Sequence, residues 1–315
     1  MDIKNKVICI QGPTASGKTA LAVELAKRLD GEVICADSMQ IYKGIHIASA
    51  APDADEMQGI KHYMLEFLSL GEKYTVAEYV AAARECIEST VKRGKTPIVA
   101  GGTGLYISAL ADNISYIEQK TDYDLRERLY AEYDRSGGGE MLKRLEALDP
   151  DAASLLHPND RRRIVRAFEI YESTGKTKTV QNKLSKLNES PYDFIMIGIN
   201  YRDREKLYDR INKRVDIMLE NGLVNEARAV YEKKELIKNS GALQAIGHKE
   251  LFAYFEGRIT LTEAAENLKQ STRRYAKRQL TWFRRDGRIN WIYPDVTPDT
   301  VSEALKVIER NLKNG

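Results

Sequence analysis

The feature that most constrains this chain is the octapeptide GPTASGKT at residues 12–19, which fits G-x-x-x-x-G-K-[ST] at every fixed position. It follows a short apolar run at residues 6–10 and precedes a helical pattern at residues 20–29, so strand, glycine turn and helix occur in the order that a P-loop requires. In a P-loop the backbone N–H groups, the helix N-terminus and the lysine face a diphosphate, and the last hydroxyl is available to Mg²⁺. The predicted diphosphate-binding residues are Gly12, Thr14, Ala15, Ser16, Gly17, Lys18 and Thr19, with Thr19 also the predicted metal ligand.

Length and composition favour a soluble intracellular protein. The 315 residues are enough for a large α/β domain with an insertion, and 43% hydrophobic with 30% charged residues is ordinary for a globular chain. No apolar stretch reaches the eighteen or so residues of a membrane span, and the first residues lack the apolar segment of a secretion signal. Three isolated cysteines, Cys9, Cys35 and Cys86, are predicted at core positions and fit a reducing cytoplasm.

Five apolar, β-branched runs alternate with helical patterns, which predicts a parallel sheet flanked by helices. The predicted strands are residues 6–10, 32–36, 96–100, 194–199 and 289–293. Between residues 112 and 190 strand patterns are absent, with helices expected at 122–135, 140–148 and 160–172 and a break at 136–139. We therefore predict a P-loop core, residues 1–111 and 191–315, that carries an all-helical insertion at residues 112–190.

Two further loops are expected beside the P-loop, because parallel strands end at one edge of a sheet and ligands bind there. Asp37 follows the second strand, where it would either bind Mg²⁺ through water or accept a proton; an ordinary turn role is the alternative. Thr103 follows the third strand in the glycine turn at residues 101–104.

Positive charge is concentrated in two places. Residues 273–288 hold seven Lys or Arg and one acid, Asp286, with Tyr275, Trp282 and Phe283 interleaved. This basic stripe suits phosphate contact with stacking, although a solvated helix face has the same pattern. The second cluster, residues 161–166, begins a helix where the dipole favours acids, which points to an anionic partner.

Arg210 and Arg214 are spaced i, i+4 on one predicted helix, so both can reach the same site. They would neutralise a diphosphate leaving group. The alternative is a surface stripe paired with Glu205, Asp209 or Asp216.

Taken together, five segments resemble the bacterial tRNA dimethylallyltransferase family over residues 6–293. They are the P-loop, DSMQIY at 37–42, GGTGLY at 101–106, HPND at 157–160 with Arg163 and Arg166, and RYAKRQLTWFR at 274–284. The resemblance implies transfer of a dimethylallyl group from dimethylallyl diphosphate to the exocyclic amine of the adenosine immediately 3′ of the anticodon, with help from Mg²⁺. It also implies that the insertion binds tRNA, and the expected form is a monomer.

The resemblance assigns roles to residues that match the family's motifs. The chemistry of the residues and the resemblance together predict the catalytic residues as Asp37, the proton acceptor, Thr103, Arg210 and Arg214. The implied tRNA-binding residues are Asp37, Ser38, Met39, Gln40, Thr103, Arg162, Arg163, Arg166, Gln244, Gly247, Lys249, Arg274, Lys277, Arg278 and Arg284. Ala51 stands where relatives usually carry a lysine, and His248 stands where a tyrosine is common.

Three other functions share parts of this pattern. A P-loop nucleoside or nucleotide kinase would use Arg210 and Arg214 in a lid, but it has no use for two distant basic clusters. An isopentenyltransferase acting on free AMP, ADP or ATP would not need the large insertion. An RNA-binding protein without catalysis fits least, because Lys18, Thr19 and Asp37 are all present.

Overall fold

A computed structural model of the chain describes residues 6–114, 122–185, 189–238 and 240–313. The chain divides into two compact units, a core unit of residues 1–111 and 191–315 and a helical unit of residues 112–190. Small parts of both predicted domains lie outside the described residues, namely 1–5, 115–121, 186–188, 239 and 314–315.

Six parallel strands form one sheet in the core unit, in the spatial order β3-β2-β4-β1-β5-β6. They are β1 (Lys6–Gln11), β2 (Gly31–Cys35), β3 (His62–Tyr63), β4 (Thr96–Gly101), β5 (Asp193–Ile199) and β6 (Asn290–Ile292). The predicted fold class, a parallel sheet flanked by helices with an all-helical insertion, is confirmed. The predicted number of five strands is wrong, because β3 is a two-residue edge strand with no apolar run to reveal it.

Fifteen α-helices and one 3₁₀ turn, Gly241–Gln244, are described. In the core unit they are α1 (Lys18–Arg28), α2 (His46–Ser49), α3 (Ala54–Met57), α4 (Val76–Lys92), α5 (Gly104–Ala111), α11 (Arg204–Glu220), α12 (Leu223–Glu232), α13 (His248–Phe255), α14 (Leu261–Phe283) and α15 (Thr300–Lys313). In the helical unit they are α6 (Tyr123–Ser136), α7 (Gly138–Leu148), α8 (Pro150–Ala153), α9 (Arg161–Thr174) and α10 (Lys178–Leu184). Among these described helices none is both long and apolar enough to cross a membrane.

The helical unit contains no strand in its described residues and packs α6, α7 and α9 around Leu129, Met141 and Ile164. The predicted four-residue break at 136–139 is wrong, since only Gly137 separates α6 from α7. Helix α7 thus begins with two glycines, Gly138 and Gly139, despite their low helix propensity. Gly138 is also required by packing, since a Cβ there would lie 2.0 Å from the carbonyl oxygen of Pro158.

The apolar core of the core unit lies between the sheet and the helices α1 and α15. Ile8, Ile10 and Ile197 of the central strands are fully buried against Leu25 and Ile308. Of the three cysteines predicted in the core, Cys9 and Cys35 are buried but Cys86, on α4, is only half-buried. Burial of these apolar side chains stabilises the sheet.

The strand order brings three loops to one edge of the sheet. β1 is central, between β4 and β5, so the chain reverses its direction of winding there, which is the usual place for a ligand. Gln11 pairs with Gly101, and Cys35 pairs with Ala100, so β1, β2 and β4 end at nearly the same level. The loops that follow these strands begin at Gly12, Ala36 and Gly102.

Candidate active site at the carboxyl edge of the sheet

The P-loop, residues 12–19, is held in a conformation that only a few residue types allow. Gly12 has φ +156° and a Cβ there would lie 2.5 Å from the carbonyl oxygen of Ile199. Gly17, at the N-cap of α1, and Ala15 both have positive φ, +98° and +61°. Alternation of left- and right-handed residues turns successive N–H groups into a concave anion-binding surface.

Lys18 points back into the P-loop, where its Nζ donates a hydrogen bond to the carbonyl of Pro13 at 2.7 Å. The pKa of Lys18 is lowered to about 8, chiefly by burial and also by the nearby Arg214, while the charge of Asp37 opposes the change. A diphosphate in the loop would favour the charged amine and reverse this shift. The lysine is therefore arranged to gain positive charge when its anion binds.

Asp37 lies just beyond β2, and its Oδ1 accepts a hydrogen bond from the backbone N–H of Met39 at 3.0 Å. Burial raises the pKa of Asp37, while that hydrogen bond and the charges of Lys18 and Arg214 oppose the rise. A carboxylate with a raised pKa is a better proton acceptor than an exposed one. The structure thus places a buried carboxylate within the electrostatic reach of the P-loop lysine.

Thr103 fixes the Asp37 loop against the loop after β4. Its backbone N–H donates to the carbonyl of Ala36 at 3.0 Å, and its Oγ1 accepts the N–H of Ser38 at 2.9 Å. The two hydroxyls of Thr103 and Ser38 are 3.1 Å apart. Gly101 allows this approach, since a Cβ there would overlap the carbonyl of Ala36 at 2.1 Å. Thr103, predicted as catalytic, therefore also has a clear part in loop geometry.

Gln40 uses both ends of its side-chain amide within the protein. Its Oε1 lies 3.1 Å from the thiol of Cys35, and its Nε2 donates to the carbonyl of Ala50 at 2.8 Å. These contacts attach the Asp37 loop to the segment after α2. Ala51, in the position where relatives usually have a lysine, is buried in that same segment.

The predicted arginine pair on α11 reaches the site. The Nε of Arg210 donates to the carbonyl of Ala15 in the P-loop at 2.9 Å, and Arg214 reaches the carbonyl of Ala50 at 3.4 Å. Burial lowers the pKa of Arg214, and the nearby charge of Arg210 adds to this effect. Two of the carboxylates proposed as surface partners are paired elsewhere, Glu205 with Arg204 and Asp216 with Lys269. The pair therefore contributes positive charge beside the P-loop.

Helix α14 separates the basic stripe into two faces. Ala276, Gln279 and Phe283 are buried on the inner face, and the indole Nε1 of Trp282 lies 3.2 Å from the hydroxyl of Ser108. The predicted RNA-binding residues on the stripe are exposed, namely Arg274, Lys277, Arg278 and Arg284. Exposure of these four cations is compatible with phosphate contact and with a solvated helix face, so their role in RNA binding stays a prediction.

Sequence reasoning missed Gln279. Its Oε1 accepts the N–H of Thr14 in the P-loop at 2.9 Å, and its Nε2 donates to the carbonyl of Gly102 at 2.9 Å. The available signal was its position within the RYAKRQLTWFR segment, where a polar residue falls on the apolar face of a helix.

Three predicted RNA-binding residues lie around the start of α13. Gly247 has φ +115°, and Gln244 and Lys249 are exposed. His248 is fully buried, with its Nε2 3.2 Å from Glu226, so it is not a stacking surface. Glu226 in turn accepts the N–H groups of Ile47 and Ala48 at 2.8 and 2.9 Å, which fixes the segment that Gln40 and Arg214 contact.

In the helical unit, the predicted RNA-binding residues of α9 are exposed, namely Arg162, Arg163 and Arg166. Arg161 differs, since it pairs with Asp134 and lies 4.2 Å from the ring centre of Tyr130. Arg166 also reaches the buried carboxylate of Glu169 at 3.1 Å. Among the described residues, Arg162 and Arg163 are exposed and form no ion pair with an acidic side chain.

Comparison with known proteins identifies relatives along almost the whole chain. A sequence model described as IPP transferase matches residues 40–286. The tRNA dimethylallyltransferase of Acetivibrio thermocellus is 47% identical over 92% of each chain, and that of Bacillus subtilis is 42% identical over 96% of this chain and 95% of its own.

Solved structures give the same result. The full-length tRNA isopentenylpyrophosphate transferase of Bacillus halodurans has a TM-score of 0.72 and 39% identity, covering 98% of this chain and 96% of its own. A eukaryotic dimethylallyltransferase, solved in snapshots of its action on tRNA, has a TM-score of 0.81 and 30% identity, covering 98% of this chain and 80% of its own.

Proposed function

The chain belongs to the IPP transferase family, and from that premise we propose that it transfers a dimethylallyl group from dimethylallyl diphosphate to tRNA. The acceptor is the exocyclic amine of the adenosine immediately 3′ of the anticodon. The observation that carries the proposal is the meeting of Lys18 and Asp37 at one edge of the sheet, each shifting the pKa of the other. An anion-binding loop beside a buried carboxylate suits a reaction in which diphosphate leaves and the acceptor amine loses a proton.

The bonds exchanged can be written in full. The allylic C–O bond breaks and its electron pair leaves with diphosphate, while a C–N bond forms to the adenine amine. The proton lost by that amine goes to Asp37, which is needed because the lone pair of the amine is delocalised into the ring. Charge on the leaving diphosphate is met by the P-loop N–H groups, Lys18, Arg210 and Arg214.

The acceptor base must leave the stacked anticodon loop to reach Asp37, since the amine is inaccessible within a stack. Ser38, Met39 and Gln40 lie beside Asp37 in the same loop, and we place the extruded adenine against them. Exposed cations supply the phosphate contacts, on α14, at the start of α13 and on α9 of the helical unit. Because tRNA is its substrate, we place the protein in the cytoplasm, acting as a monomer.

One assay tests the proposal directly. Purified protein, Mg²⁺ and labelled dimethylallyl diphosphate are incubated separately with unmodified tRNA, AMP and ATP, and the nucleosides are analysed by mass spectrometry. We expect label in a tRNA adenosine alone. Label in AMP or ATP would identify a free-nucleotide enzyme, and phosphate transfer from ATP without prenyl transfer would identify a kinase.

Mg²⁺ fits the P-loop as a partner of the diphosphate. No group of three or more His, Cys, Asp or Glu in the described part of the chain could hold a metal by itself. Mg²⁺ does not need such a group, because it keeps several waters and commonly takes one or two protein ligands with substrate phosphates. We assign Thr19, at the start of α1, as the hydroxyl that would supply one ligand, and the bound ion would neutralise leaving-group charge.

Removal of divalent ions should therefore abolish turnover. We expect excess EDTA to reduce prenyl transfer to background and added Mg²⁺ to restore it, while tRNA binding measured at constant ionic strength persists. Undiminished transfer in EDTA would contradict the metal assignment. Thr19→Val, which keeps shape without the hydroxyl, should raise the Mg²⁺ concentration needed for half-maximal rate.

The basic stripe on α14 should carry part of the salt dependence of tRNA binding. Arg278→Ala removes an exposed guanidinium, so we expect weaker binding and a slope of log K against log salt that is shallower by about one, as for one lost phosphate contact. Filter binding over a salt series measures this. Lys313→Ala, at the exposed end of α15, is the control, and an unchanged slope for Arg278→Ala would make that arginine a solvated surface residue.

A further inference from the structure

Gln279 connects two of the three loops that form the candidate site. It is 6% exposed, and its hydrogen bonds to the Thr14 N–H and the Gly102 carbonyl are both 2.9 Å long. Thr14 belongs to the P-loop, and Gly102 immediately precedes Thr103. A single amide side chain therefore connects the P-loop to the loop after β4, whose residue Thr103 in turn contacts the Asp37 loop.

The contact is closely packed around the proposed base. A Cβ built on Gly102 would lie 2.4 Å from the Nε2 of Gln279 and 3.2 Å from the Oδ2 of Asp37. Gly102 is thus the thin spacer between the amide and the carboxylate, and any larger residue would displace one of them. Movement of Gln279 would be transmitted directly to the surroundings of Asp37.

Chemistry also argues that this amide is there for geometry. An amide buried without its hydrogen bonds costs free energy, so an apolar residue would be the simpler choice on the inner face of a helix. Its neighbours on that face, Ala276 and Phe283, are indeed apolar. Gln279 differs from them because its amide hydrogen-bonds to two backbone groups on different loops. One is a donor, the Thr14 N–H, and the other an acceptor, the Gly102 carbonyl.

We propose that Gln279 is a positioning residue that sets the distance between the diphosphate held by the P-loop and the base Asp37. This inference rests on the proposed prenyl transfer. The reacting carbon is attached to the diphosphate and the reacting amine lies at Asp37, so a fixed separation of the loops aligns the two. Lys277 and Arg278 are exposed on the same turn of α14 and would bind RNA on its outer face. Gln279, on the inner face of that turn, would align the reacting groups.

The test compares Gln279→Met, Gln279→Glu and Gln270→Met. Methionine matches the length of glutamine without hydrogen bonds, whereas glutamate keeps the acceptor for Thr14 but loses the donor for Gly102. Gln270 is the matched control, an exposed glutamine on the same helix. Measured quantities are kcat, KM for each substrate, tRNA affinity, melting temperature, and the affinity for inorganic diphosphate with Mg²⁺.

For Gln279→Met we expect kcat to fall about 100-fold, the loss typical of a misplacement near 1 Å, with KM for tRNA and tRNA affinity within about two-fold of the unmodified protein. Diphosphate should bind several-fold more weakly, because the Thr14 N–H loses its fixed acceptor. Gln279→Glu should recover part of the diphosphate affinity but little of kcat. Gln270→Met should match the unmodified protein throughout.

Two results would overturn the inference. One is a kcat for Gln279→Met within about two-fold of the unmodified protein, and the other is a parallel loss of tRNA affinity and melting temperature, which marks a merely structural residue. Failure of the proposed function is distinguishable, because the unmodified protein itself would then not prenylate tRNA. In that case the diphosphate affinities of the two Gln279 variants still decide whether the amide orders the P-loop.

Discussion

Replacing Asp37 with asparagine is expected to lower kcat for prenyl transfer about 1000-fold while tRNA affinity stays within a few-fold of the unmodified protein. Loss of a positioned general base typically costs 100- to 10 000-fold. Asparagine keeps the shape and can still accept the hydrogen bond from the Met39 N–H, so the loop should remain in place. The effect should therefore fall on chemistry rather than on docking.

Single-turnover transfer to tRNA, with binding measured in parallel, separates these effects. Asp30→Asn is a suitable control, since Asp30 lies at the opposite end of the same strand, β2, and pairs with Lys95 on the surface. It should leave kcat unchanged. A fall in tRNA affinity equal to the fall in rate would show that Asp37 binds the acceptor rather than taking its proton.

Lys18→Met is the second substitution with a large expected effect. It removes the charge that meets the leaving diphosphate, for which we expect a loss of kcat/KM for dimethylallyl diphosphate of about 100- to 1000-fold, the usual cost of removing one such electrostatic group. Affinity for tRNA should change little. Lys27→Met, on the exposed side of the same helix α1, is the matched control.

The same lysine gives a prediction about pH. Burial lowers the pKa of Lys18 to about 8, so in the free protein the amine loses its positive charge as pH rises through that value. Because the charged amine is the form that attracts diphosphate, kcat/KM for the diphosphate substrate should fall above pH 8. In the acid range the raised pKa of Asp37 works in the other direction, since rate should rise with pH as the carboxylate ionises.

Steady-state rates from pH 5 to 10 measure both the rise in the acid range and the fall above pH 8, the two limbs of the pH profile. Lys18→Met should lack the limb near pH 8 and keep the acid limb, whereas Lys27→Met should keep both. An alkaline limb that persists unchanged in Lys18→Met would mean that another group titrates there and that Lys18 is not responsible for it.

Local pattern was sufficient to predict the P-loop and the position of Asp37. An apolar run that ends in a glycine turn defines where a strand stops, and parallel strands share an edge, so the Asp37 and Thr103 loops could be placed beside the P-loop without coordinates. Thr103 does hydrogen-bond to Ala36 and Ser38, so the two predicted loops are in direct contact.

Other features depend on partners far away in the chain, and no local pattern reveals them. Gln279 meets Thr14 across 265 positions, and Glu226 meets Ile47 across 179. His248 lies between two predicted RNA-binding residues, Gly247 and Lys249, yet its burial against Glu226 is a property of the assembled core unit. The edge strand β3 is formed by pairing with β2 and not by its own two residues.

The place where the helical unit enters the chain has a consequence for how such enzymes diversify. Both junctions, at residues 111–112 and 190–191, fall in the single crossover between β4 and β5, outside every strand. Insertions at such connections are well tolerated because they leave the hydrogen bonds of the sheet intact. Changes in the length and sequence of this crossover can thus accumulate during evolution while the P-loop and the Asp37 loop keep their register, so that the helical unit and the candidate site can change independently.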